Sequence, residues 1–201
     1  FSLSPDGTKI AGAGQNGVLY IWNTTDYTAK EIFKSSNNHP LTALSYSPDG
    51  KRIVVGDEDG LVRVITESTG QAIVLSGHRA HIEQVKFNFE GSFVATASRD
   101  HTVRLWNWND LNKQPIVFED NPDWVWCATF TPDDEQLLVG VHSQQTSVKE
   151  TIHAWPTKIA TMSGILCGIV KRNMSGDEWK SNVAEDIDYE KTCENLPANN
   201  Q

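Results

Sequence analysis

His78, Ser98 and Asp100 lie close in sequence and are the residue types of an acyl-transfer triad. In such a triad a carboxylate orients an imidazole, and the imidazole takes the proton of the attacking hydroxyl. Ser98 lacks the surrounding Gly-x-Ser-x-Gly turn that would lift its hydroxyl out of a sheet. His78 and His81 are spaced as a chelating pair on a helix would be. They fall on a turn that enters a strand, and no cluster of Cys or carboxylates joins them, so no metal is expected. Cys127 has no His or Asn partner at a recognisable spacing and is expected to be a buried, small apolar residue. Gly12-Ala13-Gly14 lacks a following helix that would aim amides at a phosphate. No catalytic residue and no cofactor follow from these groups.

The elements that carry these residues recur. Ser4-Pro5-Asp6-Gly7 returns as Ser47-Pro48-Asp49-Gly50, and in weaker form as Asn88-Phe89-Glu90-Gly91 and Thr131-Pro132-Asp133-Asp134, at steps of 43, 41 and 43 residues. Trp22, Ile65, Trp106 and Trp155 follow as a second marker. The last lies six residues farther from its turn than the others, which predicts an insertion within Val141–Thr151. Each unit reads as four short strands. An alternating strand leads into a Pro-Asp-Gly turn, in which Pro presets φ and Gly ends the turn. A second strand runs into Asn16-Gly17, Asp59-Gly60 or Asp100-His101, two-residue hairpin signals that favour positive φ at both positions. A third strand carries the Trp, and a weaker fourth closes the unit. Four antiparallel strands per unit of about 40 residues make one propeller blade.

On these residues the chain resembles the WD-repeat family over roughly residues 1–160. The third unit matches best: Gly77-His78 opens it, Ser98-Arg99-Asp100 closes its second strand, and Val103-Arg104-Leu105-Trp106-Asn107 stands where the family has its Trp-Asp ending. The resemblance implies a structural hydrogen-bond network running through Trp106, Ser98, His78 and Asp100, so the triad types are read as strand ties, not as a reactive site. The other units depart from the pattern. Asn37 and Asn121 take the opening His position, Ile65 replaces a Trp, and Gly14 and Asp57 replace the Ser. Those units are expected to hold by apolar packing alone.

The resemblance also places partner-contacting side chains at the end of the blades where the first strands begin. Carried over by position, these are His81, Glu83 and Arg99 in the third unit and Trp124 and Trp126 in the fourth. The second unit gives Pro40, Thr42 and Glu58, and the first gives Gln15. Trp and Arg are the types enriched in binding hot spots, and two Trp one residue apart on a strand share a face. Packing of that pair over a neighbouring blade edge is the alternative.

Beyond Trp155 the pattern changes. Ile159–Met162 reads as a last outer strand, residues 164–172 as a short helix, and Ser175 to Glu178 as a capping box that starts a second helix. Residues 184–201 read as extended and polar. The tail is similar to one that ends many large bacterial WD-repeat proteins, through Cys167, Arg172-Asn173, Glu178-Trp179, Asp186, Tyr189 and Thr192-Cys193. In that group the propeller follows other modules, such as a signal-transduction ATPase or a caspase-like peptidase. The tail is expected to seal an exposed sheet edge. Cys167 and Cys193 fall near one another in that tail, and an unpaired state is expected in a reducing cytoplasm.

The chain has 201 residues, a net charge of −9 and seven Trp. The negative balance argues against a nucleic-acid groove, which needs clustered Lys and Arg. No apolar run is long enough to span a membrane. The reading is therefore an all-β WD-repeat-type β-propeller of about four four-stranded blades over residues 1–162, divided 1–35, 36–76, 77–119 and 120–162. A short helical tail over 163–201 follows. The sequence opens at Phe1 in mid-pattern, so a larger ring with upstream blades is expected. The expected role is non-catalytic: a cytoplasmic scaffold or sensor that binds other proteins or upstream domains. A sensor region of a bacterial signal-transduction ATPase, or a propeller enzyme with a central-channel site, are the alternatives. The inner strands carry mainly apolar and hydroxyl side chains, which disfavours the enzyme.

Overall fold

The computed structural model describes residues 1–36, 38–142 and 152–158, together with positions 161, 162, 164, 167, 168, 173 and 193. The described strands form antiparallel sheets in chain order. Sheet one is β1 (Ser2–Leu3), β2 (Lys9–Ala13), β3 (Val18–Asn23) and β4 (Ala29–Lys34). Sheet two is β5 (Leu41–Tyr46), β6 (Arg52–Asp57), β7 (Val62–Thr66) and β8 (Ala72–Leu75). Sheet three is β9 (Ile82–Phe87), β10 (Phe93–Ser98), β11 (Val103–Asn107) and β12 (Ile116–Phe118). Sheet four has three strands among the described residues: β13 (Val125–Phe130), β14 (Gln136–Val141) and β15 (Ile152–Pro156).

The first turn of each unit forms as its sequence dictates. The amides of Gly7, Gly50, Gly91 and Asp134 close onto the carbonyls of Ser4, Ser47, Asn88 and Thr131 at 2.9–3.1 Å. All four closing residues have positive φ, including Asp134 at 54°. In sheet one the Ser4 hydroxyl donates to Asp6 at 2.6 Å, which helps pull the Asp6 carboxyl down to about 2. The second hairpins differ from expectation. Only Gly17, Gly60 and His101 have positive φ, and the residue before each does not. Gly17 N–H closes onto Gly14 O and Gly60 N–H onto Asp57 O. The hairpin is therefore a four-residue turn ended by one left-handed residue, not the two-residue form. This explains why His101 is tolerated where the other units have Gly.

Strand alternation divides the core between neighbouring sheets. In sheet two, Ile53, Val55 and Ile65 pack with Ala11, Leu19 and Ile21 of sheet one. Val54, Val62 and Val64 on the opposite face pack with Ile82, Val85, Phe87, Val94 and Trp106 of sheet three. A strand covered on both faces needs no polar alternate, which is why Ile53-Val54-Val55 reads as an unbroken apolar run. Gly56 makes the close approach possible, since a Cβ there would meet Ile82 at 2.4 Å. Free backbone groups on the inner strands are met by the neighbouring sheet. Tyr46 N–H donates to Ser2 Oγ at 3.2 Å, Ala128 N–H to Gln84 Oε1 at 2.6 Å, and Thr42 Oγ1 to Ile82 O at 2.6 Å.

The chain divides into two compact units, Phe1–Trp155 and Pro156–Gln201. In the second, Thr161 and Met162 are helical, with Met162 N–H bonded to Lys158 O at 3.0 Å, so these two residues do not continue a strand as expected; residues 159 and 160 lie outside the described residues. Cys167 and Cys193 form a disulfide, where an unpaired state was expected. The buried Asn173 amide makes two bonds to the Cys193 backbone at 2.8 Å and fixes that cysteine beside its partner. Asn37, the insertion after His142 and the capping box at Ser175 lie outside the described residues, as do Arg172, Glu178, Trp179, Asp186, Tyr189 and Thr192.

Candidate functional site

Sheet three contains the polar network, but Ser98 is not its relay. Trp106 pairs with Val94, and Thr96 is the next residue along β10 on the same face. A step of two residues is about 6.6 Å, and an indole spans one such step, not two. Trp106 Nε1–H therefore donates to Thr96 Oγ1 at 2.9 Å. His78 Nε2 meets the same hydroxyl at 2.8 Å, and His78 Nδ1 meets Asp100 at 2.9 Å. With Nδ1–H donated to the carboxylate, the His78 ring is turned so that Nε2 faces the Thr96 hydroxyl. Ser98 donates instead to Ala80 O at 2.9 Å and accepts Asp100 N–H at 3.1 Å, a tie within the opening loop. Burial pushes the Asp100 carboxyl up, but bonds and charge from His78, the Thr102 hydroxyl and Arg79 N–H outweigh it and hold it well below the usual carboxylate range.

Thr96, His78 and Asp100 thus have the order of a nucleophile, base and orienting carboxylate. Thr96 is fully buried, and its oxygen is already shared with the Trp106 indole. No substrate carbonyl reaches it, so the arrangement ties strands and does not catalyse acyl transfer.

The other units do not rely on apolar packing alone, as the sequence suggested. In sheet two the buried Asp57 accepts Arg63 Nη1 at 2.6 Å and the amides of Asp59 and Leu61 at 3.0 and 2.8 Å. The Ser replacement at Asp57 therefore brings its own cation. In sheet one Gly12 stands at the Thr96 position, and the Trp22 ring lies where a Cβ would be, 2.5 Å away. In sheet four the equivalent position is Val139, and Trp155 Nε1 is buried with no acceptor among the described residues.

The exposed end that carries the inner-strand starts is built differently. Arg99 N–H bonds to His81 O, Glu58 N–H to Pro40 O, and His142 N–H to Trp124 O, so each second hairpin adjoins the start of its own first strand. Arg99 Nε donates to Glu83 at 2.5 Å, and its guanidinium lies 5.0 Å from the Trp124 ring and 5.9 Å from the Trp126 ring. His142 stacks on Trp124 at 6.0 Å and tilts toward Trp126 at 5.6 Å. His142 Nδ1 in turn lies 3.9 Å from Asp123. His81 stands 3.9 Å from Glu83. A bulge between Val125 and Cys127 inserts Trp126 out of register and leaves it 45% exposed. Cys127, in regular register with Gly140 on the face opposite the buried Ala128 and Phe130, is exposed, where a buried cysteine was expected. The two tryptophans do both things the sequence allowed: they pack on Arg99 of the neighbouring sheet, and one stays open.

Of the expected contact residues, His81, Glu83, Arg99, Trp124 and Trp126 come together. Glu58 and Gln15 are exposed on other hairpins, and Thr42 has its hydroxyl committed to sheet three. The sequence reading missed Thr96, Arg63, Asp123 and His142. Thr96 was findable from the two-residue step that separates it from Val94, the partner of Trp106. His142 follows the last residue of β14, and only the pairing register places it opposite Trp124.

Two segments of the chain, residues 30–66 and 70–107, match the WD domain, G-beta repeat family. Among curated proteins the chain is similar to COMPASS component SWD3 of Saccharomyces cerevisiae, 31% identical over 52% of this chain and 33% of that protein. It is similar to Periodic tryptophan protein 2 of Arabidopsis thaliana, 27% identical over 73% of this chain and 16% of that protein. The human F-box-like/WD repeat-containing protein TBL1Y is 29% identical over 69% of this chain and 30% of its own length. The chain thus spans a third or less of these relatives. With two segments matched to this repeat and four antiparallel sheets in succession, the fold is of the WD-repeat propeller type.

Proposed function

We propose that this chain is a non-catalytic scaffold that binds another protein through the end of the sheets carrying Glu83, Arg99, Trp124, Trp126 and His142. The observation that carries the reading is Trp126, a large aromatic held 45% exposed by a bulge and backed by a guanidinium that Glu83 fixes in place. An aromatic anchor with its surroundings already ordered loses little entropy on binding. The similarity to WD-repeat proteins, one of them named as a component of a complex, supports scaffold function in general. His81, Glu58 and Thr42 belong to the same end as rim and support, without direct contact to the tryptophans. Further blades are proposed to cover the outer faces of sheets one and four, since bare sheet faces with Leu3 and Cys127 exposed invite association. The division of residues 1–162 from 163–201, and a cytoplasmic setting in a bacterial multidomain protein, are proposed on the sequence pattern alone.

The test is a pull-down from the source cell with wild type, Trp124→Ala/Trp126→Ala and Phe89→Ala. Phe89 is an exposed aromatic on a first turn, at the other end of sheet three. Partners lost with the tryptophans and kept without Phe89 support the proposal. An unchanged partner set in the double variant overturns it.

A further inference from the structure

We propose that the segment seated at this end is basic, and that one of its lysine or arginine side chains lies over Trp126 beside Asp123. The proposal rests on the docking reading above and names the partner's chemistry. Its first ground is charge. The loop that leads into β13 carries Glu119 and Asp120, both exposed, and then Asp123 beside His142. Among the described residues the cation that lies against the tryptophans is Arg99, and Glu83 already neutralises it at 2.5 Å. The same loop is short of donors: Asn121 Oδ1 is buried with no hydrogen-bond partner, while its amide nitrogen serves His101 O and Phe118 O.

The second ground is the chemistry of the rings. Arg99 at 5.0 and 5.9 Å shows that both indoles accept a guanidinium. Trp126 keeps almost half its surface for another. A cation over an indole with a carboxylate alongside gains from both the ring quadrupole and the charge pair. Among the described residues an acidic segment meets the terminal nitrogens of Arg99, and it approaches past the carboxylates of Glu119, Asp120 and Asp123. The net charge of −9 steers cationic partners toward the chain as a whole, so the test must separate this end from the average.

The experiment is fluorescence anisotropy with the full chain at physiological ionic strength. The probes are a fluorescein-labelled alternating Gly-Lys dodecapeptide and its Gly-Glu counterpart. The Gly-Lys probe is expected to bind, and Trp126→Ala and Glu119→Lys/Asp120→Lys each weaken it roughly tenfold. Trp126→Phe, which keeps an aromatic ring, and Glu119→Gln/Asp120→Asn, which keep size, give smaller losses in the same direction. Glu90→Lys, on a first turn at the opposite end, leaves binding unchanged. Equal weakening by Glu90→Lys shows attraction by net charge only and overturns the proposal. Gly-Glu binding that depends on Trp126 overturns the basic partner and leaves the docking reading standing. Gly-Lys binding indifferent to Trp126 overturns the proposal, and the pull-down then judges the docking reading on its own.

Discussion

Thr96→Val tests the relay in sheet three. The substitution keeps the shape of a fully buried side chain, so it leaves no cavity to complicate the result. It strips the acceptor from Trp106 Nε1–H and the hydrogen-bond partner from His78 Nε2, whose contacts with the hydroxyl are 2.9 and 2.8 Å. A buried polar group left without a partner costs about 1–3 kcal/mol, and there are two, so the expected loss is about 2–6 kcal/mol. For a chain of this size each kcal/mol shifts Tm by roughly 2–4 °C. Ser98→Ala also destabilises, through Ala80 O and Asp100 N–H, so total losses alone do not assign the relay. A double-mutant cycle with Trp106→Phe does, because Phe removes the indole N–H and keeps a ring. Urea unfolding followed by fluorescence and circular dichroism should give a Thr96–Trp106 coupling of about 1 kcal/mol or more, and near zero for Ser98–Trp106. The reverse order would refute the assignment.

Asp134→Ala should destabilise by about 2–4 kcal/mol in the same assay. It removes an acceptor for Asn88 Nδ2, Phe89 N–H and Glu90 N–H at 2.7–3.0 Å and keeps the left-handed backbone. Asp134→Gly loses the same bonds but relieves φ, so it should cost less than Ala. Asp57→Ala strands the buried Arg63 and should cost roughly 3–5 kcal/mol, while Asp57→Leu/Arg63→Met should recover most of it. Asp100 has a depressed folded-state pKa, so its contribution is present above the unfolded value of about 4 and is lost as pH falls below it. Acid titration of stability should therefore fall less steeply below that pH in Asp100→Asn than in wild type. Val139→Thr should offer Trp155 Nε1 an acceptor and raise stability by up to about 1 kcal/mol; a loss would show that β15 does not repeat the geometry of β11.

The architecture was legible because repetition amplifies weak local signals. One Pro-Asp-Gly turn says little, but two of them and two degenerate copies at nearly equal steps locate every first turn and both inner strands beside it. Even the degenerate copy at Asp134 takes the backbone conformation of Gly7, Gly50 and Gly91. What the sequence hid was diagonal geometry. Ser98 and Thr96 share a face of β10, and only the pairing of Val94 with Trp106 shows which of them the indole reaches. Cys127 was misplaced because burial was taken as the default for a cysteine, whereas its register opposite Gly140 puts it on the exposed face of β13. Asp57 looked like a lost Ser until Arg63, six residues on, supplied the charge that makes a buried carboxylate tolerable. The Cys167–Cys193 pairing was open for a different reason: their spacing of 26 residues is compatible with either state, and compartment gave the wrong answer.

The central claim is that the tryptophan end of the propeller is where a partner sits. A photo-crosslinking amino acid placed at Trp126, with the same group at Phe89 for comparison, tests it in the cell. The account predicts discrete adducts from position 126 that Arg99→Glu suppresses, and none of the same mass from position 89. Identical adducts from both positions, or a covalent partner at 89 alone, would contradict it.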